Sequence, residues 1–273
     1  MKADQVDLTR KKYQDEGFYI HPEPLLPQEV VEKAIAGMDA LRAGDYDTGI
    51  PPRPSSWSPG DDPDALCKIE MPQIASHAIM ELVSHPALGA KAAEITGAEA
   101  LQVWWVQLLY KPPTAAGQEV RTHVGWHQDY NYWGIWEDES ELFTAWVALS
   151  DVAPDCGPMN FVVGSHKWGL STKSDFFSQD YEALRDAIRA EQDQEWQEEP
   201  AILPPGSASF HNKLTFHGSG PNVSSQPRRS FAVHMRTEKS RPKDNVRQGL
   251  TTFIDDPRYC PIVFGEADAL KCA

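Results

Sequence analysis

The stretch Gly125-Trp126-His127-Gln128-Asp129 sets an imidazole and a carboxylate two residues apart. Side chains of an extended strand alternate between faces, so His127 and Asp129 can share one. Both groups are metal donors, yet alone the pair is a weak signal. The second piece lies far downstream. His217 is followed by GSGPNVSSQP, residues 218–227, nearly all turn formers, and then by Arg228, Arg229 and Ser230. Strands ending at His217 and starting near Arg228 should form an antiparallel hairpin with His217 and Arg228 on one inner face. Arg228 and Ser230 share a face by the same alternation; the adjacent Arg229 could take the Arg228 role, but spacing favours Arg228 inward and Arg229 outward.

Two histidines and one carboxylate on one side of a metal leave the opposite positions open, the facial arrangement of non-haem Fe(II) oxygenases. Open positions can take a 2-oxo acid and then O₂, while the planar fork of Arg228 suits a distal carboxylate. His123, four residues before His127, reads as a loop or outer residue rather than a fourth ligand. His166 follows Gly-Ser in a turn and reads as structural. Lys111 reads as a strand end, not a ligand contact. Alternation places His211, six before His217, on the face away from the metal. His234 shares the Arg228 face and either lines the pocket or packs in the barrel. Tyr130, Tyr132 and Trp133 follow the metal motif closely and, with His234, are the candidates for a substrate wall; aromatic packing is the plainer reading.

The elements that must position these residues divide the chain. Residues 1–100 read as mostly helical: 7–16, then Pro27 to about Arg42 with Val30, Val31, Ala34, Met38 and Leu41 at helical spacing, then two helices within 73–97 broken near His85-Pro86. Phe18-Tyr19-Ile20 is a brief strand. Residues 43–64 form a long Pro-, Gly- and Ser-rich loop, and long loops in compact domains tend to be functional or disordered. From Leu101 short strands dominate: 101–110, 142–149, 159–163, 207–211, 214–217 and 229–236, separated by turn residues. An acidic helical insert spans 171–199, with Tyr181, Leu184 and Ile188 on one side, and is a candidate lid or rim. The expected class is mainly β with flanking helices, a barrel core over 101–240 and a tail over 241–273, all one domain.

Composition narrows function. The 273 residues carry 25 Lys and Arg against 40 Asp and Glu, a formal charge of −15. Such a chain is a poor host for nucleic acid or anionic lipid. No run approaches the ~18 apolar residues of a membrane span, and no signal segment is visible at the start. The four cysteines, Cys67, Cys156, Cys260 and Cys272, form no CxxC pair and read as free thiols of a cytoplasmic protein.

In order along the chain come Gly17-Phe18-Tyr19, Lys111-Pro112-Pro113, His127-Gln128-Asp129, Ala145-Trp146-Val147-Ala148-Leu149, Cys156-Gly157-Pro158-Met159, Gly164-Ser165-His166, His217-Gly218-Ser219 and Arg228. Taken together this series resembles the phytanoyl-CoA dioxygenase family of Fe(II)/2-oxoglutarate-dependent oxygenases. The resemblance implies a double-stranded β-helix, the jelly-roll or cupin-like barrel. It implies His127, Asp129 and His217 as iron ligands, Arg228 with Ser230 on the C5 carboxylate of 2-oxoglutarate, and Trp146 lining that pocket. It also implies Fe(II), 2-oxoglutarate and O₂ as the reaction's cofactor and co-substrates, while the charge of −15, awkward for a polyanionic CoA thioester, favours a small molecule or secondary metabolite as substrate. Asp129 is present, which favours hydroxylation or another oxidation, with ring formation, desaturation and epimerisation open, over halogenation, a chemistry in which relatives lack the carboxylate. Two other readings stay open: a metal-binding barrel that oxidises without 2-oxoglutarate, and a non-catalytic ligand-binding module.

Overall fold

The computed structural model describes residues 3–114 and 122–271, so the last cysteine, Cys272, lies outside the described residues. The chain opens on α1 (Ala3–Glu16), which ends at Gly17 with φ +86°. Only glycine suits this corner, because a Cβ would also lie 2.3 Å from the His166 ring. β1 (Phe18–His21) follows, then α2 (Gln28–Ala43), which buries Val30, Val31, Ala34, Met38 and Leu41, the set marked by the spacing. Gly44, left-handed at φ 89°, caps it. The short β2 (Cys67–Glu70), α3 (His77–Val83) and α4 (Pro86–Thr96) lead into the barrel. Pro86 opens α4 at the expected break, where its missing N–H costs nothing.

The remaining strands are β3 (Leu101–Lys111), β4 (Val124–His127), β5 (Leu142–Ala148), β6 (Met159–Val162), β7 (Glu198–Pro200), β8 (Ala208–Asn212), β9 (His217–Ser219), β10 (Arg228–Thr237) and β11 (Ile262–Phe264). Among the described residues they make two antiparallel sheets. The larger runs β1-β8-β5-β10-β3-β11, with β2 also on β3; the smaller runs β4-β9-β6-β7. On the larger sheet alternation is strict in effect. Val106, Leu108, Val147, Phe210, Phe231 and Val233 face outward and are buried under α2, α3 and α4. Leu109, Trp146, His211, Arg228 and His234 face the barrel interior. Both faces are covered, which is why β3 reads as a continuous apolar run rather than an alternating one.

Three expectations fail here. His217 and Arg228 do not share a hairpin: β9 pairs with β4 and β6 in the small sheet, β10 with β3 and β5 in the large one. The ten turn residues between them carry the chain across the barrel, so the two side chains meet from opposite walls. His211 is not turned away from the metal site: its Nε2 lies 3.1 Å from Asp129 Oδ2, and its spacing of six from His217 is even, so alternation gives no reason for the opposite face. Residues 241–273 are no mere tail: β11 extends the large sheet, and Gln102 Nε2 donates to the carbonyls of Ile254 and Cys260.

The insert holds α5 (Tyr181–Gln192), whose Tyr181, Leu184 and Ile188 pack with Trp126, Trp168, Trp196 and Phe216 behind the small sheet. The helix is a buttress. The segment before it, Ser174 to Ser178, is what crosses the barrel mouth. Among the described residues no helix is long and apolar enough to cross a membrane.

Candidate active site

His127 ends β4, and Asp129 opens a 3₁₀ turn, Asp129–Tyr132, with Gln128 extended between them. The i, i+2 relation therefore survives although the strand stops. His217 pairs with His127 across β4 and β9, and their rings lie 4.1 Å apart. His127 Nε2 and His217 Nε2 each lie 3.7 Å from Asp129 Oδ1. All three residues are buried, and their donor atoms fall within 4.8 Å of one another. At 3.7 Å these are not hydrogen bonds; they are donors gathered around a common point.

The outer partners show that the donor set suits a divalent ion. His127 Nδ1 sits 2.8 Å from the Gly125 carbonyl and His217 Nδ1 2.9 Å from that of Thr215. A carbonyl only accepts, so each Nδ1 carries its hydrogen and each Nε2 offers a lone pair. Burial, with the neighbouring imidazoles of His127 and His211, holds His217 well below its ordinary range, hence neutral. Burial alone would raise the Asp129 carboxyl; the surrounding imidazoles of His217, His127 and His211 outweigh it and keep the group well below the usual range. Neutral imidazoles and an ionised carboxylate are the states a metal binds. Asp129 Oδ2 accepts from Thr144 Oγ1 at 2.7 Å and from His211 Nε2 at 3.1 Å, which leaves Oδ1 free to turn to the ion.

Behind this point runs a narrow crevice lined by Leu109, Trp146, Met159, Ser219 and Arg228. Arg228 is 1% exposed, lies 5.1 Å over the Trp146 ring and donates through Nη1 to the Gly157 carbonyl. Arg228 Nε and Trp146 Nε1 are buried donors without a partner. Arg229 points outward, 3.5 Å from Asp39. Ser230 does not line the crevice; its hydroxyl lies 3.4 Å from the Leu109 carbonyl. Lys111 is more buried than a strand end suggests. It ends β3 as expected, yet it is wholly buried, opposite Arg228, and donates to Ser219 Oγ and the Gly220 carbonyl, each at 2.6 Å. Burial, reinforced by Arg228, lowers its pKa well below the usual range, and burial brings Arg228 down to about 10. Arg228, buried and lining a crevice whose one carboxylate is Asp129 at the far end, calls for an anion. The signal in the sequence was the apolar run ending in a lysine that pairs with Arg228.

On the other side of the metal point opens a cavity of about 530 Å³. Its wall includes Trp105, Tyr132, Trp133, Phe176, Phe177 and His234. Tyr130, a predicted wall residue, is instead turned into the body, its hydroxyl donating to Asp138 Oδ1 at 2.6 Å and its ring under Lys213 Nζ at 4.1 Å. Arg53 and Pro54 of the long loop, and Gly249 and Leu250 of the C-terminal segment, complete the rim. The strap over the mouth is pinned: Gly125 N donates to the Phe176 carbonyl, and Phe176 N donates to Tyr132 Oη at 2.8 Å. His123 stacks on Tyr181 outside the site, and His166 holds the Gln14 carbonyl, both as expected.

An antiparallel barrel with two imidazoles and a carboxylate at the junction of two cavities defines the double-stranded β-helix of the Fe(II)/2-oxoglutarate oxygenase class. The chain belongs to the phytanoyl-CoA dioxygenase family, whose profile matches residues 13–230. Among curated proteins it is 25% identical over 167 residues to the dioxygenase cdmD of Talaromyces verruculosus, a match covering 60% of this chain and 49% of that protein. It is 24% identical over 233 residues to a probable alpha-ketoglutarate-dependent hypophosphite dioxygenase of Stutzerimonas stutzeri, covering 82% of this chain and 76% of that one. In fold it is similar to the epimerase SnoN in complex with Fe³⁺, alpha ketoglutarate and nogalamycin RO. The TM-score is 0.68 and identity 21%, over 93% of this chain and 91% of that one. The carbocyclase SnoK from nogalamycin biosynthesis gives a TM-score of 0.65 at 21% identity, over 92% and 90% of the two chains.

Proposed function

We propose that this chain is an Fe(II)- and 2-oxoglutarate-dependent dioxygenase that hydroxylates an unactivated C–H bond of a small molecule. The observation that supports it most is the convergence of His127 Nε2, His217 Nε2 and Asp129 Oδ1 at the neck between two cavities, one of them ending on Arg228. The three residues would hold the iron facially. Arg228 would receive the C5 carboxylate of 2-oxoglutarate, with Trp146 Nε1 and the Lys111–Ser219 pair at the same end. Iron bound there supplies the oxidative step, in which O₂ and 2-oxoglutarate yield the hydroxylated product, succinate and CO₂.

The chain's own task is placement and exclusion. Thr144 and His211 hold Asp129 in one orientation; the backbone carbonyls of Gly125 and Thr215 fix both imidazoles. The strap at Phe176 narrows the mouth and keeps bulk water from the reacting centre. The Arg228 end of the crevice favours this reading over a barrel that oxidises without 2-oxoglutarate, since such a barrel would leave the buried guanidinium Nε facing nothing. The charge of −15 argues against a polyanionic CoA thioester as substrate.

Anaerobic protein with Fe(II) and 2-oxoglutarate should show the weak visible metal-to-ligand charge-transfer band. Asp129→Ala should abolish it by losing iron, and Arg228→Ala should weaken it at fixed 2-oxoglutarate. A folded, iron-loaded protein without the band would overturn the reading.

A further inference from the structure

The wall of the outer cavity carries one polar atom that nothing in the fold explains. His234 is 2% exposed and lines both cavities, yet its Nε2 is without a hydrogen-bond partner. Its Nδ1 lies 2.8 Å from Thr144 Oγ1, and the Thr144 hydroxyl has one proton, given to Asp129 Oδ2 at 2.7 Å. The Thr144 oxygen must then accept from His234, so Nδ1 carries the hydrogen and Nε2 carries a lone pair. The chain His234–Thr144–Asp129 thus fixes the tautomer.

Local backbone aims this ring. The β10–β3 ladder slips at His234/Met235: His234 faces Trp105 and Met235 faces Val103, which leaves Trp104 as an extra residue on β3. Bulges of this kind re-aim side chains beside functional sites. Trp104 and Trp133 then clamp the imidazole, with ring centroids 5.7 and 4.8 Å away. Of the other polar groups of the wall, Gln107 Nε2 donates to Glu70 Oε1 at 3.3 Å, and the Arg53 guanidinium at the exposed rim lies 5.4 Å over the Phe253 ring. Glu70 accepts from Trp105 Nε1 at 2.5 Å and from Lys68 Nζ at 2.8 Å, so that the acid and the lysine neutralise each other. The rest of the wall near His234 is aromatic.

Resting on the oxygenase reading above, we propose that His234 Nε2 is the anchor for the substrate: it accepts a hydrogen bond from a hydroxyl of a neutral, ring-bearing compound whose apolar body lies against Trp105, Trp133 and Phe176. Because His234 is tied through Thr144 to the metal-facing carboxylate, a hydroxyl held there is held in register with Asp129. His234 is a positioning residue that selects which C–H of the substrate is presented.

The test uses the full chain under anaerobic Fe(II) and 2-oxoglutarate, with three two-ring probes followed by calorimetry. 2-Naphthol offers a hydroxyl, 2-methoxynaphthalene offers none, and 2-naphthoate offers an anion. The hydroxyl probe should bind about 5- to 10-fold more tightly than the methoxy probe, the factor carried by one neutral hydrogen bond to a buried acceptor. In His234→Phe the preference should shrink to within about twofold, and His234→Gln, which keeps an acceptor, should restore part of it. Equal binding of naphthol and methoxynaphthalene by the unaltered protein overturns the proposal without any variant. So does tighter binding of naphthoate, a preference that persists in His234→Phe, or the failure of all three probes to bind. A missing charge-transfer band alongside the expected preference sinks the oxygenase reading and leaves the anchor standing; a normal band without the preference does the reverse.

Discussion

At the scale of single residues the site is defined less by its three candidate ligands than by the groups that orient them. Thr144 is the clearest case, since its hydroxyl both donates to Asp129 and accepts from His234. Thr144→Val keeps the shape and removes both bonds. Fe(II) affinity should fall by about 10- to 100-fold, the usual cost of losing an outer partner, in an anaerobic Fe(II) titration of folded protein. An unchanged affinity would mean that His211 alone suffices to hold the carboxylate. Arg228→Ala should raise the 2-oxoglutarate concentration for half-maximal charge-transfer absorbance by about 30-fold or more, as expected when a buried charge loses its partner. Arg228→Lys should recover little of this, because a point charge lacks the two-donor fork.

Among the elements, the strap from Ser174 to Ser178 has the most to tell. It lies against β4, where a Cβ on Gly125 would come within 2.1 Å of the Asp175 carbonyl. Glycine is there because the strap's backbone passes in contact with the strand. Gly125→Ala should push the strap off and break the Gly125 N–H bond to Phe176, with the three candidate ligand side chains unsubstituted and the Gly125 carbonyl still available to His127 Nδ1. Chymotrypsin should then cut after Phe176 or Phe177 markedly faster than in the unaltered protein, and 2-oxoglutarate turnover should be less tightly coupled to product. If cleavage is unchanged, α5 rather than β4 holds the strap. The sequence placed this insert correctly and named it a lid or rim; it could not divide the insert into a buttress helix and a mouth-crossing segment. That division depends on which side of the small sheet Ile188 finds its apolar partners.

Over the whole molecule, buried titratable groups tie stability to pH. Burial lowers the His234 pKa to about 4 from an ordinary 6.5. The unfolded chain therefore binds a proton below 6.5 that the native state refuses until about pH 4. Stability should be full above pH 6.5 and fall as pH drops toward 4, by on the order of 3 kcal/mol for this histidine alone. His217, lowered in the same direction by burial, adds to the loss. Urea unfolding of the metal-free protein between pH 7 and 4 tests this, and His234→Phe should flatten the dependence. Cys67, Cys156 and Cys260 are free and buried, and burial raises the Cys67 and Cys260 thiols to about 11 and about 12. Iodoacetamide at pH 8 should leave these three unlabelled in native protein and label them within minutes after unfolding.

Much was legible in local pattern because local physics sets it. The helical spacing of Val30 to Leu41, the short β-rich runs after Leu101 and the His127–Asp129 pair follow from 3.6- and 2-residue periods, while the choice of Arg228 over Arg229 came from its spacing to His217. The motif series carried the family. What one strand's alternation cannot reach is the relation between sheets. His217 and Arg228 meet from opposing walls, and Tyr130, in the turn after the metal motif, packs into the body instead of the cavity its neighbours line. The first depends on where the chain crosses from one sheet to the other, and that crossing is chosen by burial of whole faces and not by any residue's neighbours in sequence.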